Sequence, residues 1–498
     1  VVVAAIDAGT TGVRCMIVDK EGKVQALSRR NWGYSTPPNL EIAMEFDAEV
    51  FWNLIRDVVN ESVQFSGLAP SDIAAASTTS QRHGVVFLDA DGNELYCGPN
   101  VDARGALTQY IIEEALGDRF FEITGCWPPL MFAPARLAWF EEEAPEIHER
   151  VAHILPINDW ITFRLSGVCV TEPSSASSTG FLDIRTRDWS DEVVSTVGID
   201  KSVLPTIVQA GDRVGELQDG LDIRLQTGLP IIQGGADTQC AILASQGTVG
   251  DVVVIAGSTT PVMRILDSPK LDDTQRIWSG CHLLPDMWIL ESNATMTGAN
   301  FEWALNLLCE RAENPAACRD KILANLESLL VGIPPGSYET MIGVGPCVMD
   351  CQQITEIRQA RIIFPQPALP QVKPLDSATL LHAIMENIAF AVKGNHAQLG
   401  DMASSQVVKT IGGMTKSSVF PEILSNVLDL KIKCPQESEG SLLGAAICAA
   451  KGAGDYTSLQ EAAATMVKWH PPITPDKRAD LYESYYARWN DVWTKGEI

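Results

Sequence analysis

The stretch VVVAAIDAGTTGVRCMIVDKEGKVQALSRR, residues 1–30, decides the fold. Its apolar runs VVVAAI, VRCMIV and VQALSRR are separated by the turns DAGTTG and DKEGK. Short runs bounded by Gly, Asp and Thr read as three consecutive antiparallel strands. A dinucleotide-binding or P-loop unit would pass from its glycine turn into a helix. Here the chain stays strand-like after the glycines, which disfavours both. The pattern returns at 252–267 as VVVIAGSTTPVMRILD: strand, Gly-Ser-Thr-Thr turn, strand. Two copies about half a chain apart indicate a duplicated domain core.

Working outward, residues 46–66 carry Val50, Leu54, Ile55, Val58, Val59 and Val63 at helical spacing behind a candidate N-cap, Asp47. IAAASTTSQRHGVVFLDADGNEL, at 73–95, reads as strand, loop, strand and a second hairpin. Segments 103–116, 134–143 and 153–165 read as helices. VVKTIGGMTKSSVFPEILSNVLDLKI, at 407–432, reads as strand, Gly-Gly turn, helix, strand, and ESEGSLLGAAICAAKGAG opens a helix of small residues. The expected division is a first domain over 1–245 and a second over 246–455. Residues 456–498 then form a helical extension packing on the body.

The chain has 498 residues, 46% apolar and 20% charged, the composition of a globular enzyme too long for one core. No apolar run approaches the roughly 20 residues of a membrane span. The first residues turn polar after Ile6, so they read as neither signal peptide nor anchor. The net charge of −26 excludes nucleic acid as the expected partner, because phosphate backbones need clustered Lys and Arg. It does not exclude a nucleotide held by backbone N–H groups and Mg²⁺. The 12 cysteines show neither a CxxC pair nor zinc spacing, and Cys347 and Cys351 stand four apart. They read as reduced thiols of a cytoplasmic protein.

Two turns, Gly9-Thr10-Thr11 and Gly257-Ser258-Thr259, have the composition that grips a triphosphate. Glycine lets the backbone approach, and hydroxyls add donors. Asp7, just before the first turn, can hold Mg²⁺ directly or through water, or can cap its own turn. In LPIIQGGADTQCAI, at 229–242, Asp237 follows Gly234-Gly235 at a strand end. Such a carboxylate can take the proton of an attacking alcohol, or can cap the helix behind it.

These pieces, in this order, resemble the FGGY carbohydrate kinases of the actin-like, heat-shock-chaperone and hexokinase superfamily. DAGTTGVR resembles the family's first phosphate motif, GGADTQ the catalytic-aspartate motif, AGSTT the second phosphate motif and IGGMTKSSVF the adenosine motif. MFAPARLAWF is similar to the first signature, with Arg136 where Lys is usual and Ala133 where Pro, Ser or Thr is. LLHAIMENIAFAV is similar to the helix of the second signature. The resemblance covers nearly the whole chain. It implies an α/β fold of two actin-like ATPase (ribonuclease H-like) domains with a catalytic cleft between them. They are expected to close over substrate and exclude water. It implies ATP and Mg²⁺ as cofactors and a small-molecule sugar as partner, with no nucleic acid or membrane. Relatives of this kind are often homodimers.

Carried residue by residue, the resemblance makes Asp237 the general base and Asp7 the Mg²⁺ residue. Gly9, Thr10, Thr11 and Arg14 face the phosphates, and Gly257, Ser258 and Thr259 the β/γ region. Gly412, Gly413, Met414 and Ser417 surround adenosine. The loops SQRHG and NVDARG supply sugar contacts from Gln81, Arg82, His83, Asn100, Asp102 and Arg104, joined by Asp159 and Thr238. QRHG resembles the xylulokinase loop, whereas Asn100 stands where a Trp is usual there. NVDAR, AMEFD and the ATLLHAIMENIAF helix look more like the autoinducer-2 kinase branch, which carries Arg-Glu in the first loop. The expected substrate is therefore a small keto-pentose such as xylulose, or a linear polyol or dione such as autoinducer-2. The rival readings are a sugar-binding pseudokinase and a non-kinase actin-like ATPase. Intact Asp7, Asp237, phosphate turns and sugar loops argue against both.

Overall fold

The computed structural model describes residues 1–353, 359–366, 373–400 and 406–495. The chain divides into two compact units. One comprises Val1–Val249, Ile265–Leu290 and Glu439–Lys468; the other comprises Gly250–Arg264, Glu291–Ser438 and Trp469–Ile498.

The opening stretch forms β1 (Val2–Ala8), β2 (Gly12–Asp19) and β3 (Val24–Asn31). β1 pairs antiparallel with β2, and β2 with β3. The helix α1 (Ala48–Ser66) then crosses over to β4 (Ile73–Ser80), which lies parallel to β1. Asp47 caps α1 by accepting from the Val50 N–H at 2.8 Å, and Gly67 ends it in the left-handed region. Its apolar stripe, including Phe51, Trp52, Ile55, Val58 and Val59, is buried in the core of the first unit. The sheet has six strands. Beyond β4 lie Pro230–Ala236, parallel to it, and the antiparallel edge strand Arg213–Glu216.

Segment 153–165, expected as one helix, is instead a strand, His153–Pro156, followed by a helix, Ile157–Ser166. The residue before a proline is steered to extended backbone, and Val85–Leu88 offers a partner, with Val85 opposite Pro156. Segment 103–116 is likewise broken, into the turn Arg104–Leu107 and the helix Gln109–Leu116. The Thr108 hydroxyl at the break donates to the Ala135 carbonyl at 2.7 Å.

The small residues of the helix Gly440–Gly452 have a packing cause. It lies in the first unit against the helix Asp237–Ala244, so closely that a Cβ on Gly444 would stand 2.1 Å from the Cys240 carbonyl oxygen. No helix among the described residues is long and apolar enough to cross a membrane.

In the second unit, Val252–Ile255 pairs antiparallel with the next strand through Val252↔Arg264 and Val254↔Val262. On its other side it pairs parallel with Val407–Ile411, which pairs with Lys431–Lys433. The helix Ala479–Lys495 packs on the helix Ser377–Gln398. Trp489, 1% exposed, donates its indole N–H to the Asn387 side chain at 2.8 Å.

Candidate active site

The first turn is built by the β1–β2 hairpin and fastened from outside. The Gly9 N–H donates to the Gly12 carbonyl at 3.0 Å. A Cβ on Gly12 would lie 2.5 Å from the Arg30 carbonyl, so only glycine lets β3 lie this close. Trp32 donates to the Gly9 carbonyl at 2.9 Å, Tyr34 to the Thr10 carbonyl at 2.5 Å, and the Asn100 amide to Thr10 Oγ1 at 3.0 Å. Gln81 links Asn100, whose N–H it accepts at 3.0 Å, to the Tyr34 hydroxyl at 3.3 Å. Thr11 is exposed beyond this frame.

Asp7 is fully buried, and its two oxygens differ. Oδ2 accepts from Arg14 and from the Ser441 hydroxyl, the latter at 2.6 Å. Oδ1 is buried without a partner. Arg14 also pairs with Glu439. The Asp7 charge, aided by Glu439 and opposed by burial, strengthens the hold of the Arg14 guanidinium on its proton. Unpartnered buried polar atoms are costly and mark places where an ion or ligand fits. An oxygen aimed into such a place suits a hydrated Mg²⁺. Among the described residues no group of three or more His, Cys, Asp or Glu could hold a metal ion. A metal carried in by a nucleotide and met by one carboxylate fits this site.

Asp237 begins the helix Asp237–Ala244 at the end of the strand Pro230–Ala236. That strand is bulged: Ile232 faces Ser77 of β4, but Gly235 faces Thr79, so one extra residue is accommodated. A Cβ on Gly234 would sit 1.9 Å from the Thr78 carbonyl, which is why the bulge takes glycine. Ala236, rather than Asp237, occupies the N-cap position. The Asp237 carboxylate accepts from the Thr238 N–H at 2.7 Å, and the residue is partly exposed. Enclosure of the carboxyl, then the Asp7 charge, raises its pKa to about 7, against the pull of Arg82 and Arg14. Thr238 Oγ1 is buried without a partner.

His83 sits in the left-handed region (φ 64) and is 7% exposed. Its Nδ1 lies 3.0 Å from the Ser178 carbonyl, which can only accept, so Nδ1 carries the proton and Nε2 is an acceptor. Burial, then the Arg82 charge, lowers its pKa to about 3, so the ring is neutral. Phe132 and Trp278 stand edge-on to it at 5.1 and 5.4 Å. Arg136 donates to the His83 carbonyl at 2.9 Å and to the Met131 carbonyl at 3.1 Å, using a fork that lysine lacks.

Asn100 Oδ1 is buried and unpartnered. Asp102 and Arg104 lie deeper. Asp102 accepts from Arg104 Nε at 2.8 Å, from the Met44 N–H at 3.0 Å and from the Tyr96 hydroxyl. Arg104 also pairs with Glu45, and its guanidinium stands 4.5 Å from the Tyr96 ring and 4.8 Å from the Trp139 ring. Asp159 is fully buried and accepts from the Gln233 and Asn158 side chains, each at 2.7 Å. Burial raises its pKa to about 8.

In the second unit the Gly257 and Ser258 carbonyls accept the Gly298 and Ala299 N–H groups, each at 3.2 Å. Ser258 and Thr259 are exposed at the tip of this turn. The Met414 N–H donates to the Ala256 carbonyl at 3.2 Å, which sets the Gly412–Gly413 turn beside the Gly257-Ser258-Thr259 turn. Gly413 has open space where a Cβ would be, and Ser417 Oγ lies 3.4 Å from Glu327. Gly412 has φ +127, and a Cβ there would meet the Ala256 carbonyl at 2.5 Å. Gly412→Ala should therefore cost about 1–3 kcal/mol of stability. It should weaken nucleotide binding more than sugar binding. Thermal melts and nucleotide titration read both effects.

The residues that local reading missed are Glu439 and Ser441, which reach Arg14 and Asp7 from the other end of the chain. The only local sign of them is the small-residue helix that ESEGSLLGAA opens.

The comparisons agree with this geometry. The profile for the N-terminal domain of the FGGY family of carbohydrate kinases matches residues 2–244, and that for its C-terminal domain matches 252–453. An autoinducer-2 kinase of Salmonella paratyphi B is 30% identical over 504 residues, 98% of this chain and 93% of its own. The autoinducer-2 kinase of Escherichia coli K12 is 29% identical over 509 residues, with the same coverage. Among solved structures, a xylulose kinase from Rhodospirillum rubrum superposes with a TM-score of 0.81 at 23% identity, covering 99% of each chain. A ligand-bound xylulose kinase from Lactobacillus acidophilus gives 0.83 at 19% identity, covering 100% of each. The two-domain α/β fold is that of these solved kinase structures. The chain belongs to the FGGY family of carbohydrate kinases. Its activity is ATP-dependent phosphorylation of a sugar, with Mg²⁺ accompanying ATP.

Proposed function

We propose that this kinase phosphorylates a hydroxyl of a keto-pentose such as xylulose, or of a related linear polyol or dione such as autoinducer-2, with Asp237 as the general base. The observation that carries the reading is a partly exposed carboxyl on a bulged strand end whose pKa is held at about 7. A base poised near neutrality accepts a proton readily and is still ionised at working pH. The sugar hydroxyl gives its proton to Asp237. Its oxygen bonds to the γ-phosphorus as the bond to the β–γ bridging oxygen breaks, and ADP leaves. Mg²⁺, when bound with the nucleotide, offsets phosphate charge, and Asp7 Oδ1 is the atom that would hold it or its water.

Gly9, Thr10, Thr11 and Arg14 serve the phosphates. Gly257, Ser258 and Thr259 serve the β/γ region, and Gly412, Gly413, Met414 and Ser417 take adenosine. Arg82 donates to the sugar, while His83 Nε2 and Asn100 Oδ1 accept from its hydroxyls, and Thr238 adds a hydroxyl. Gln81, Asp102 and Arg104 hold the SQRHG and NVDARG loops in place, and Asp159 holds Gln233 of the strand that leads to Asp237. The reaction belongs in the cytoplasm, where ATP is supplied.

His83 favours a keto-pentose such as D-xylulose, whereas the curated relatives favour autoinducer-2. A coupled ADP-release assay across D- and L-xylulose, D- and L-ribulose, glycerol, erythritol, gluconate and autoinducer-2 separates them. A pentulose, a small linear polyol or autoinducer-2 should be preferred by kcat/KM. Turnover of gluconate alone would defeat the reading. His83→Ala should raise KM for the sugar and leave that for ATP unchanged. As pH rises through about 7, kcat/KM for the sugar should climb to a plateau, because ionisation of Asp237 creates the base. A rate that falls over the same interval would contradict the assignment.

A further inference from the structure

The Gly235–Ala236 peptide, one residue ahead of Asp237, is gripped at both ends by side chains with no part in the chemistry so far. The Gly235 carbonyl accepts from Thr79 Oγ1 of β4 at 2.7 Å. On the other side, the Ala236 N–H donates to Ser174 Oγ at 3.3 Å. Ser174 Oγ in turn donates to Glu172 Oε1 at 2.5 Å. Glu172 is fully buried and is itself fixed by N–H groups of Ser174 and Ser175, at 2.7 and 2.6 Å.

The fit around this bracket is close. A Cβ on Gly235 would come within 3.1 Å of both Glu172 Oε1 and Ser174 Oγ. The bracket stands just past the bulge of the Pro230–Ala236 strand, where pairing resumes for only Gly235↔Thr79 and Ala236↔Ser80 before the strand ends. A rotation of the 235–236 peptide would carry Asp237 with it, and an ångström of misplacement in a reacting group can cost about 10²-fold in rate.

We propose that Ser174, oriented by Glu172, is a positioning residue for Asp237: it fixes the Gly235–Ala236 peptide, one peptide ahead of the unit that carries the base, and touches neither substrate. Glu172 has a structural part as the N-cap of Pro173–Ser177, so its replacement would disturb that turn as well. Ser174 is the sharper probe. Its role is to accept one hydrogen bond and donate one, which threonine can also do and alanine cannot.

The inference rests on Asp237 being the base, and a double-mutant cycle separates the two ideas. Ser174→Ala should lower kcat about tenfold, with KM for sugar and ATP within twofold of wild type; the lost buried hydrogen bonds should also lower the melting temperature by a few degrees, so rates are read well below it. Ser174→Thr should recover most of the loss. In an Asp237→Asn background, Ser174→Ala should add no further loss, because a residue acting through another has nothing left to position. An equal loss in both backgrounds, or a Ser174→Ala enzyme with wild-type kcat, overturns the proposal while leaving Asp237 as the base. Full activity of Asp237→Asn would remove the base assignment itself.

Discussion

Asp237→Asn is expected to leave nucleotide binding nearly intact and to lower kcat by about 10²–10⁴, the usual contribution of a positioned general base. Asparagine keeps the size and can still accept from the Thr238 N–H, so the helix Asp237–Ala244 should start as before. What it loses is proton affinity. The same variant should lose the rise in rate through pH 7, because the ionisation behind it is gone. Calorimetric titration with nucleotide, run beside steady-state kinetics, separates lost chemistry from lost binding. Turnover close to wild type would remove Asp237 from the mechanism.

Asp7→Asn should be nearly as damaging, by another route. The substitution keeps the shape of a fully buried side chain but removes the charge that Arg14 and Ser441 meet. It also removes the anionic oxygen offered to Mg²⁺. Metal-assisted charge stabilisation is worth several kcal/mol, so kcat/KM for MgATP should fall by about 10² or more. A second effect has a definite sign. The Asp7 charge helps to raise the pKa of Asp237, so its removal must lower that pKa. The acidic limb of the pH profile should therefore move below its wild-type position of about 7. A limb that moved upward would show that the two carboxyls do not interact as described.

Much of this was legible in the sequence where the determinants are local. The β1–β2–β3 meander follows from short apolar runs and Gly/Asp turns, and α1 from its stripe and Asp47. The phosphate turns and Asp237 stand at strand ends marked by glycines. What was not legible depends on distant partners. His153–Pro156 is a strand because Val85–Leu88 pairs with it, which helical periodicity at 153–165 cannot reveal. Glu439 lies 425 residues from Arg14, and Ser441 lies 434 from Asp7, so no local pattern joins them. The polar groups of NVDARG are visible in the sequence. That Tyr96, Glu45 and Met44 engage Asp102 and Arg104 inside the fold is not. The Ser174–Glu172 bracket is hidden for the same reason: Ser174 lies 62 residues from Ala236.

The most direct test follows the phosphorus. Wild-type protein, MgATP and the preferred sugar of the panel are mixed and followed by ³¹P NMR. The account predicts a sugar-phosphate resonance growing in step with ADP, one for one, and ATP stable when the sugar is left out. Inorganic phosphate released at the same rate with and without sugar would contradict it, and would make the protein an ATPase that borrows a kinase fold.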